Sequence, residues 1–224
     1  MTVALVLCTG AAVAAEPKPN ILILIADDLG SADLGVQGCR DIPTPHLDSL
    51  AHNGVRFTNG YVSAPVCSPS RAGLMTGRYQ TRFGHEFNHP LADRSPEGVG
   101  LPLTEKTAAQ WFKEAGYVTG HIGKWHLGNP SFPHYTPNAR GFDESFHFPG
   151  ARKLPPLAFN YNRKAGAAQD RYVDEAMGRE AAAFAQRHRA APWFLYVAFL
   201  TPHQPLDPPP GTEEAFASLA TAER

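Results

Sequence analysis

The chain has 224 residues, of which 43% are hydrophobic and 18% are charged. This composition favours one folded domain with a sizeable core and excludes a disordered chain. The formal net charge is −1 at pH 7, so nucleic acid receives no general electrostatic attraction and is not predicted as a partner; any binding of anions must come from a local group of residues.

Residues 1–15 have the features of a signal peptide. An apolar run over residues 3–13 has the length of a signal-peptide core, and the small residues at its end allow cleavage near Ala14 or Ala15. The run is too short to span a membrane as a helix, and no stable membrane span is predicted. Because no Lys or Arg precedes it, a start further upstream and a cytosolic N-terminal strand stay open as alternatives. The prediction is export to the periplasm or the extracellular space.

Apolar periodicity and turn residues predict strands that alternate with helices along the rest of the chain. The predicted strands cover residues 20–26, 55–62, 117–124 and 193–200, and the predicted helices cover residues 44–53, 68–75, 104–115 and 170–188. The first and last strands are continuous apolar runs, which are typical of strands buried on both faces. The alternation predicts an α/β fold with a largely parallel central sheet flanked by helices. The segments 84–103 and 129–163 are predicted to be binding loops.

Cys67 stands where the second predicted helix begins. Ser68 and Pro69 are residues that start helices, and Arg71 follows one turn later on the same face. A thiol in this position lies beside unpaired backbone N–H groups and the positive end of the helix dipole. Two interpretations remain at this point, an activated nucleophile that faces an anionic substrate and a buried structural cysteine.

Three predicted strands end in polar residues that suit a catalytic site. Asp27 and Asp28 follow the first strand, Lys124 and His126 follow the third, and His203 follows the last. If these strands are parallel, all of these residues lie at one edge of the sheet. Adjacent carboxylates suit a hard divalent cation such as Ca²⁺, a lysine neutralises anionic oxygens, and histidines transfer protons near neutral pH.

Three sequence strings together resemble those of the type I sulfatases of the alkaline phosphatase superfamily. They are Cys-Ser-Pro-Ser-Arg from Cys67, with Thr-Gly-Arg following it, Gly-Lys-Trp-His-Leu-Gly from Gly123, and Pro-His-Gln-Pro from Pro202. The resemblance implies a sulfatase-like α/β fold over residues 16–224 and hydrolysis of sulfate esters, either aryl or carbohydrate sulfates. It also implies that a maturation enzyme oxidises Cys67 to formylglycine, whose hydrate attacks sulfur.

The resemblance assigns a role to each matching residue. It implies that Asp27, Asp28 and the modified Cys67 bind Ca²⁺, with Mg²⁺ as an alternative, and that Arg71 orients the nucleophile. The remaining implied roles are contact with sulfate for Lys124, a hydrogen bond to the nucleophile for His126, and contact with the substrate for His203.

One departure from the family pattern concerns the end of the chain. Type I sulfatases continue with an Asp-Asn pair that completes the calcium site and with a further sulfate-binding lysine, whereas here a helix-like segment over residues 212–224 follows Pro210. Residues 16–224 are therefore expected to be an incomplete N-terminal catalytic domain with weak or absent activity alone. The alternatives are a phosphodiester or phosphonate monoester hydrolase of the same superfamily and a non-catalytic fragment that binds anions.

The cysteines leave one further alternative. Cys8 lies within the predicted signal peptide, so Cys39 and Cys67 would be the cysteines of the mature chain. A disulfide between these two is possible in an oxidising compartment and would abolish the proposed activity. Conversion of Cys67 to formylglycine would instead leave Cys39 as an unpaired thiol.

Overall fold

The computed structural model describes residues 17–89, 97–129, 131–147, 157–162, 164–169 and 171–217. The predicted signal peptide lies outside this part of the chain, as do residues 218–224 of the predicted C-terminal segment and parts of both predicted loops. No described helix is both long enough and apolar enough to cross a membrane.

Helices and strands are interspersed along the described chain. In chain order they are β1 (Ile21–Asp27), α1 (Pro45–Asn53), α2 (Cys67–Thr76), α3 (Ala108–Glu114), β2 (Val118–Gly123), β3 (Glu144–His147), β4 (Leu157–Tyr161), β5 (Lys164–Gln169), α4 (Val173–Arg187), β6 (Trp193–Pro202) and α5 (Thr212–Ala215). The helices α1–α3 and then the strands β2–β5 follow one another without the predicted strict alternation. The described strands form one six-stranded sheet in the order β1-β6-β2-β3-β4-β5. This arrangement confirms the predicted α/β fold.

The sheet is parallel from β1 to β3 and antiparallel at the far edge. β6 pairs in parallel with both β1 and β2, and β2 pairs in parallel with β3, whereas β4 runs antiparallel to β3 and β5. Because β1, β6 and β2 run in the same direction, their carboxyl ends lie at one edge, as the sequence predicted. This edge carries the polar residues that follow each strand.

Strand β6 separates two hydrophobic layers because its side chains alternate between the two faces of the sheet. Phe194 and Tyr196 pack on one side with Met75 of α2, and Leu195 and Val197 pack on the other side together with residues of α4. Helices therefore cover both faces of the central strands. The predicted burial of this strand on both faces is confirmed.

The predicted helices agree with the structure except at one boundary. Helices α1, α2 and α4 lie where the sequence predicted them, but α3 begins at Ala108 rather than near Thr104. Thr107 determines this start, because its hydroxyl accepts a hydrogen bond from the Gln110 backbone and the Gln110 side chain accepts one from the Thr107 backbone. This capping box satisfies two backbone N–H groups at the helix start.

Three predictions about strands were wrong. Residues 55–62 form no strand, and apolar side chains such as Phe57 and Tyr61 are exposed there. The segment 129–163 is not simply a loop, because β3 and β4 form within it and pair with each other. Strand β1 is not buried on both faces, since it pairs only with β6 among the described strands and alternate residues such as Leu22 are exposed.

His121 is a buried histidine in the centre of the sheet. It lies on β2 beside Tyr196 of β6, and its ring also contacts Trp125 and Phe142. Burial, together with the nearby His147, lowers the pKa of His121 to about 3. The imidazole is therefore neutral in the folded protein at physiological pH.

This burial predicts a loss of stability in mild acid. Between pH 6.5 and about pH 5 the unfolded chain binds a proton at His121 that the folded chain does not bind, so the free energy of unfolding falls as the pH falls. One such group contributes a slope of up to about 1.4 kcal/mol per pH unit. Urea denaturation across this range should show a smaller slope for His121→Leu, whereas the exposed-site control His52→Leu should keep the wild-type slope. An unchanged slope in His121→Leu would contradict the interpretation.

Candidate active site

Cys67 is the first residue of α2, which begins one residue before the helix start that the sequence predicted. Val66 precedes it in an extended conformation, and the side chain of Val66 provides no hydrogen bond to the helix start. The backbone N–H of Ser68 instead donates to Asn88 Oδ1 at 2.8 Å. The thiol of Cys67 is partly buried, and its Sγ lies 3.6 Å from Asp27 Oδ1. The start of α2 therefore places this sulfur beside the end of β1.

Asp27 is the acceptor that joins the elements of the site. It is the last residue of β1 and is 5% exposed. Its Oδ1 accepts a hydrogen bond from Arg71 Nη2 at 3.1 Å, and its Oδ2 accepts one from Lys124 Nζ at 2.6 Å. Burial tends to raise the pKa of Asp27, but the hydrogen bond from Lys124 and the positive charges of Lys124 and Arg71 outweigh burial and lower it. Asp27 is therefore a carboxylate at neutral pH.

Arg71 is held on two further sides. Its Nη1 donates to the Lys124 backbone carbonyl and to the hydroxyl of Tyr196, each at 3.2 Å. The side chain of Arg71 is 5% exposed, so its charge depends on these protein partners rather than on water. The sequence did not single out Tyr196, because it lies within an apolar strand and looks like a core residue. Only the register of β6 against β1 and β2 brings its hydroxyl to Arg71.

A sharp turn directs Lys124 towards Asp27. Gly123 ends β2 with a φ of 95°, and a Cβ at this position would lie 2.1 Å from the carbonyl oxygen of Ala198. Glycine is required because any side chain would collide with the backbone of β6. The N–H of Lys124 then donates to the same Ala198 carbonyl. The Gly-Lys pair of the sequence string thus has a geometric reason.

His126, which the sequence predicted to take part in proton transfer, is largely buried. Burial, followed by the charge of Lys124, lowers the pKa of His126 to about 3. The ring is therefore neutral at physiological pH and does not carry the second proton that a general acid would donate. The residue also has a positive φ of 55°, which is uncommon for a residue other than glycine. The neutral charge state of His126 and its unusual backbone conformation are therefore both imposed by the residues packed around this turn.

A set of polar side chains that the sequence analysis did not assign surrounds the His126 backbone. The carbonyl of His126 accepts a hydrogen bond from Ser68 Oγ at 2.7 Å and lies 3.1 Å from His89 Nε2. Ser68 Oγ also lies 2.7 Å from His85 Nε2, and the His85 ring reaches the Gly100 carbonyl. Ser68 stands inside the cysteine string, and the sequence identified the loop around His85 only as a binding loop. These contacts hold the turn at His126 against the start of α2.

His203 and Asp28 occupy the more open side of the site. Asp28 follows β1 in a left-handed conformation with a φ of 66°, and its side chain is 61% exposed. His203 Nε2 lies 3.6 Å from Asp28 Oδ2. Within the described residues, donor atoms of Asp27, Cys67 and His203 lie within 4.8 Å of one another and form a possible metal site. The structure thus brings His203, which was not predicted as a metal ligand, to Asp27 and Cys67. Asp28, which was predicted as one, lies beside His203 on the exposed side of this group.

A cavity of about 690 Å³ opens beside these residues. Its wall contains Asp27, Asp28, Cys67 and Arg71, and the segment 61–66 contributes much of the apolar surface. Cys39 and Cys67 are both free thiols, so the alternative of a disulfide between them is not what the structure contains. The cavity therefore exposes a free thiol beside two carboxylates and the guanidinium of Arg71.

A family model for sulfatases matches residues 19–223 of the chain. The chain belongs to the sulfatase family. The match includes all of the described strands and helices, so the fold and the family agree.

Named relatives and a solved structure support the same conclusion. The chain is 46% identical to arylsulfatase G of Canis lupus familiaris over 132 residues, which are 59% of this chain and 24% of that protein. It is 38% identical to N-acetylgalactosamine-6-sulfatase of the same organism, with 88% of this chain and 42% of that protein covered. The crystal structure of Ps i-CgsB in complex with k-i-k-neocarrahexaose matches with a TM-score of 0.83 and 36% identity, covering 91% of this chain and 49% of that chain. The sulfatase chain thus spans less than half the length of these relatives.

Removal of the Asp27 charge should destabilise the fold. Asp27→Asn leaves the buried guanidinium of Arg71 without its counter-charge, so we expect a loss of about 3 kcal/mol in the free energy of unfolding. Asp28→Asn is the matched control, because the exposed side chain of Asp28 should contribute less than about 1 kcal/mol. Denaturant titration in the presence of a chelator measures both effects without bound metal. Equal losses in the two variants would contradict the role of Asp27.

Proposed function

We propose that this chain carries the nucleophile of an exported sulfatase and that a formylglycine made from Cys67 attacks the sulfur of a sulfate ester. The observation that carries the proposal is the position of Cys67, at the first turn of α2 and 3.6 Å from the Asp27 carboxylate. Arg71 and Lys124 both bind that carboxylate, so two cationic groups stand beside the nucleophile. Membership of the sulfatase family supports the same chemistry.

The proposed maturation changes the donor at position 67 from sulfur to oxygen. A maturation enzyme oxidises the thiol to an aldehyde, and water adds to the aldehyde to form a geminal diol. The carboxylates of Asp27 and Asp28, together with an oxygen of this diol, would then hold Ca²⁺ or Mg²⁺, because hard cations prefer oxygen ligands. When bound, such a cation polarises a sulfate oxygen and lowers the pKa of a coordinated hydroxyl. Unmodified Cys67 supplies no such oxygen.

The first chemical step transfers the sulfuryl group to the diol. One hydroxyl loses its proton to solvent and its oxygen forms a bond to sulfur, while the bond from sulfur to the ester oxygen breaks. His203, which is partly exposed beside the site, gives a proton to the leaving oxygen, and this is needed more for alkyl than for aryl esters. Lys124 and Arg71 offset the negative charge of the sulfate. Neutral His126 donates or accepts a hydrogen bond at the nucleophile.

The second step releases sulfate without attack by water on sulfur. The remaining hydroxyl gives its proton to the now neutral His203, the carbon–oxygen double bond forms again, and the bond from carbon to the sulfate oxygen breaks with its electron pair on sulfate. Water then adds to the aldehyde and restores the diol. An ordinary serine at position 67 could complete the first step but has no second hydroxyl for this release.

We infer a sulfated carbohydrate as the substrate class. The described relatives include a named N-acetylgalactosamine-6-sulfatase and a protein in complex with k-i-k-neocarrahexaose. The cavity of about 690 Å³ beside Cys67 is large enough to admit a sugar unit. A small aryl sulfate would fit the same space and is the convenient assay substrate.

The sulfate specificity can be tested against the closest chemical alternative. We expect the full-length protein, produced with a formylglycine-forming enzyme, to hydrolyse an aryl sulfate with a higher kcat/KM than the matching aryl phosphodiester or phosphonate ester. Faster turnover of the phosphorus esters would identify the alternative hydrolase. Absence of turnover for every ester, with formylglycine present by mass spectrometry, would favour a non-catalytic anion-binding protein.

The nucleophile can be tested with two substitutions at one position. Cys67→Ala should lower kcat by a factor on the order of 10⁴ or more, as expected when a catalytic nucleophile is removed. Cys67→Ser should also lose turnover, but it should accumulate one covalently bound sulfate per protein because release is blocked. Intact-protein mass spectrometry after incubation with substrate measures this adduct, and Cys39→Ser is the control that should retain full activity. Normal turnover by Cys67→Ser would contradict the mechanism of release.

A further inference from the structure

The donor atoms at the site differ in character before and after maturation. In the unmodified chain, Cys67 offers sulfur, His203 offers an imidazole nitrogen and Asp27 offers a carboxylate oxygen, all within 4.8 Å of one another. These residues come from three elements, the start of α2, the end of β6 and the end of β1. Calcium binds oxygen ligands, whereas zinc binds sulfur, nitrogen and oxygen together. The thiol form therefore does not match the cation proposed for the mature enzyme.

A backbone hydrogen bond of His203 favours the tautomer that a metal ligand needs. Its Nδ1 lies 2.6 Å from the backbone carbonyl of Gln204. Because a carbonyl can only accept, Nδ1 carries the proton and donates it in this hydrogen bond. In the neutral ring the lone pair is then on Nε2, which is the nitrogen on the side of Asp28. Metal-bound histidines commonly have this second hydrogen bond, because it fixes the orientation of the ring.

The separation of Cys67 Sγ from Asp27 Oδ1 matches that of two ligands in a zinc site. Zinc binds thiolate sulfur at about 2.3 Å and nitrogen or oxygen at about 2.0 to 2.2 Å, so two ligands of one tetrahedral ion lie roughly 3.3 to 3.8 Å apart. Cys67 Sγ and Asp27 Oδ1 are separated by 3.6 Å. The side chain of His203 is 39% exposed and that of Asp28 is 61% exposed. The donor atom of His203 lies within 4.8 Å of those of Asp27 and Cys67, so a small adjustment on this more exposed side of the site brings it to bonding distance.

The charges of the site also permit a divalent cation. Asp27, Asp28 and a Cys67 thiolate would give three negative charges, against the two positive charges of Arg71 and Lys124. Asp27 Oδ1 accepts from Arg71 and from the Cys67 thiol, so the lone pair that faces the thiol becomes available to a metal when the thiol loses its proton. The proton of the thiol is released when the metal binds, as in other thiolate sites.

We infer that the unmodified form of this protein binds Zn²⁺ through Asp27 Oδ1, Cys67 Sγ and His203 Nε2, with Asp28 or water in the fourth position. Bound zinc would cover the thiol and protect it from oxidation and alkylation. Replacement of the sulfur by oxygen at maturation removes the soft ligand, so the site then prefers a hard cation. This contrast with the mature form rests on the proposed function, whereas zinc binding by the thiol form does not.

The test uses the full-length protein made in a host without a formylglycine-forming enzyme. Cobalt(II) is the spectroscopic probe, and we expect one equivalent to give a thiolate-to-cobalt charge-transfer absorption that Zn²⁺ abolishes and excess Ca²⁺ does not. Cys67→Ser should remove the absorption, and His203→Ala should weaken zinc binding by at least about tenfold. Cys39→Ser and His52→Ala are the matched controls and should bind as the wild type. An absent absorption in the folded wild type, or one that Cys39→Ser removes, would overturn the inference.

A second measurement avoids dependence on the folding of the variants. Zinc should slow alkylation of Cys67 by iodoacetamide at least about tenfold, and it should leave the rate at Cys39 unchanged, with each thiol followed by peptide mass spectrometry. Equal rates at Cys67 with and without zinc would refute the site. Because the thiol form needs no sulfatase activity in either experiment, a failure of the proposed function would not alter these results, and protein that carries formylglycine should show neither effect.

Discussion

The buried carboxylate of Asp27 is the interaction on which the site depends. It ends β1, and it binds the guanidinium of Arg71 from α2 and the ammonium of Lys124 from the turn after β2. Buried charges are costly unless they are paired and hydrogen-bonded. The three residues therefore stabilise one another only when β1, α2 and β2 are all in place. The same carboxylate lies 3.6 Å from the sulfur of Cys67, so one buried acceptor joins the start of α2 to both cationic side chains.

The parallel sheet explains why residues far apart in the sequence can form this group. Strands β1, β6 and β2 run in one direction, and the residues that follow them meet at the carboxyl edge. The helix start at Cys67 reaches the same edge from the face of the sheet where Ala72 and Met75 pack. After β2 the chain turns sharply, with positive φ angles at Gly123 and His126. The turn allows the side chain of Lys124 to reach Asp27. Rigid elements thus fix the position of each functional group.

The predictions from sequence succeeded where a local pattern was strong. The apolar runs that became β1, β2 and β6 and the periodic helices α1, α2 and α4 were located correctly. The strand predicted over residues 55–62 failed, because apolar residues indicate burial only when a neighbour is available to cover them, and Phe57 is exposed here. Strands β3 and β4 were missed because no strong alternation of apolar and polar residues marks them in the sequence. They form because β3 pairs with β2 and β4 pairs with β3.

The sequence by itself indicated the family and the α/β fold class, and it singled out Cys67, Arg71, Lys124 and Asp27 as candidate site residues, because these inferences depend on short strings and local patterns. Tertiary structure alone decided the partners of those residues. The hydroxyl of Tyr196 on Arg71, the contacts of Ser68 and His89 at the His126 carbonyl, and the approach of His203 to Cys67 all join residues remote in sequence. The neutral state of His126 also follows from burial, and burial is a property of the folded chain rather than of any residue type.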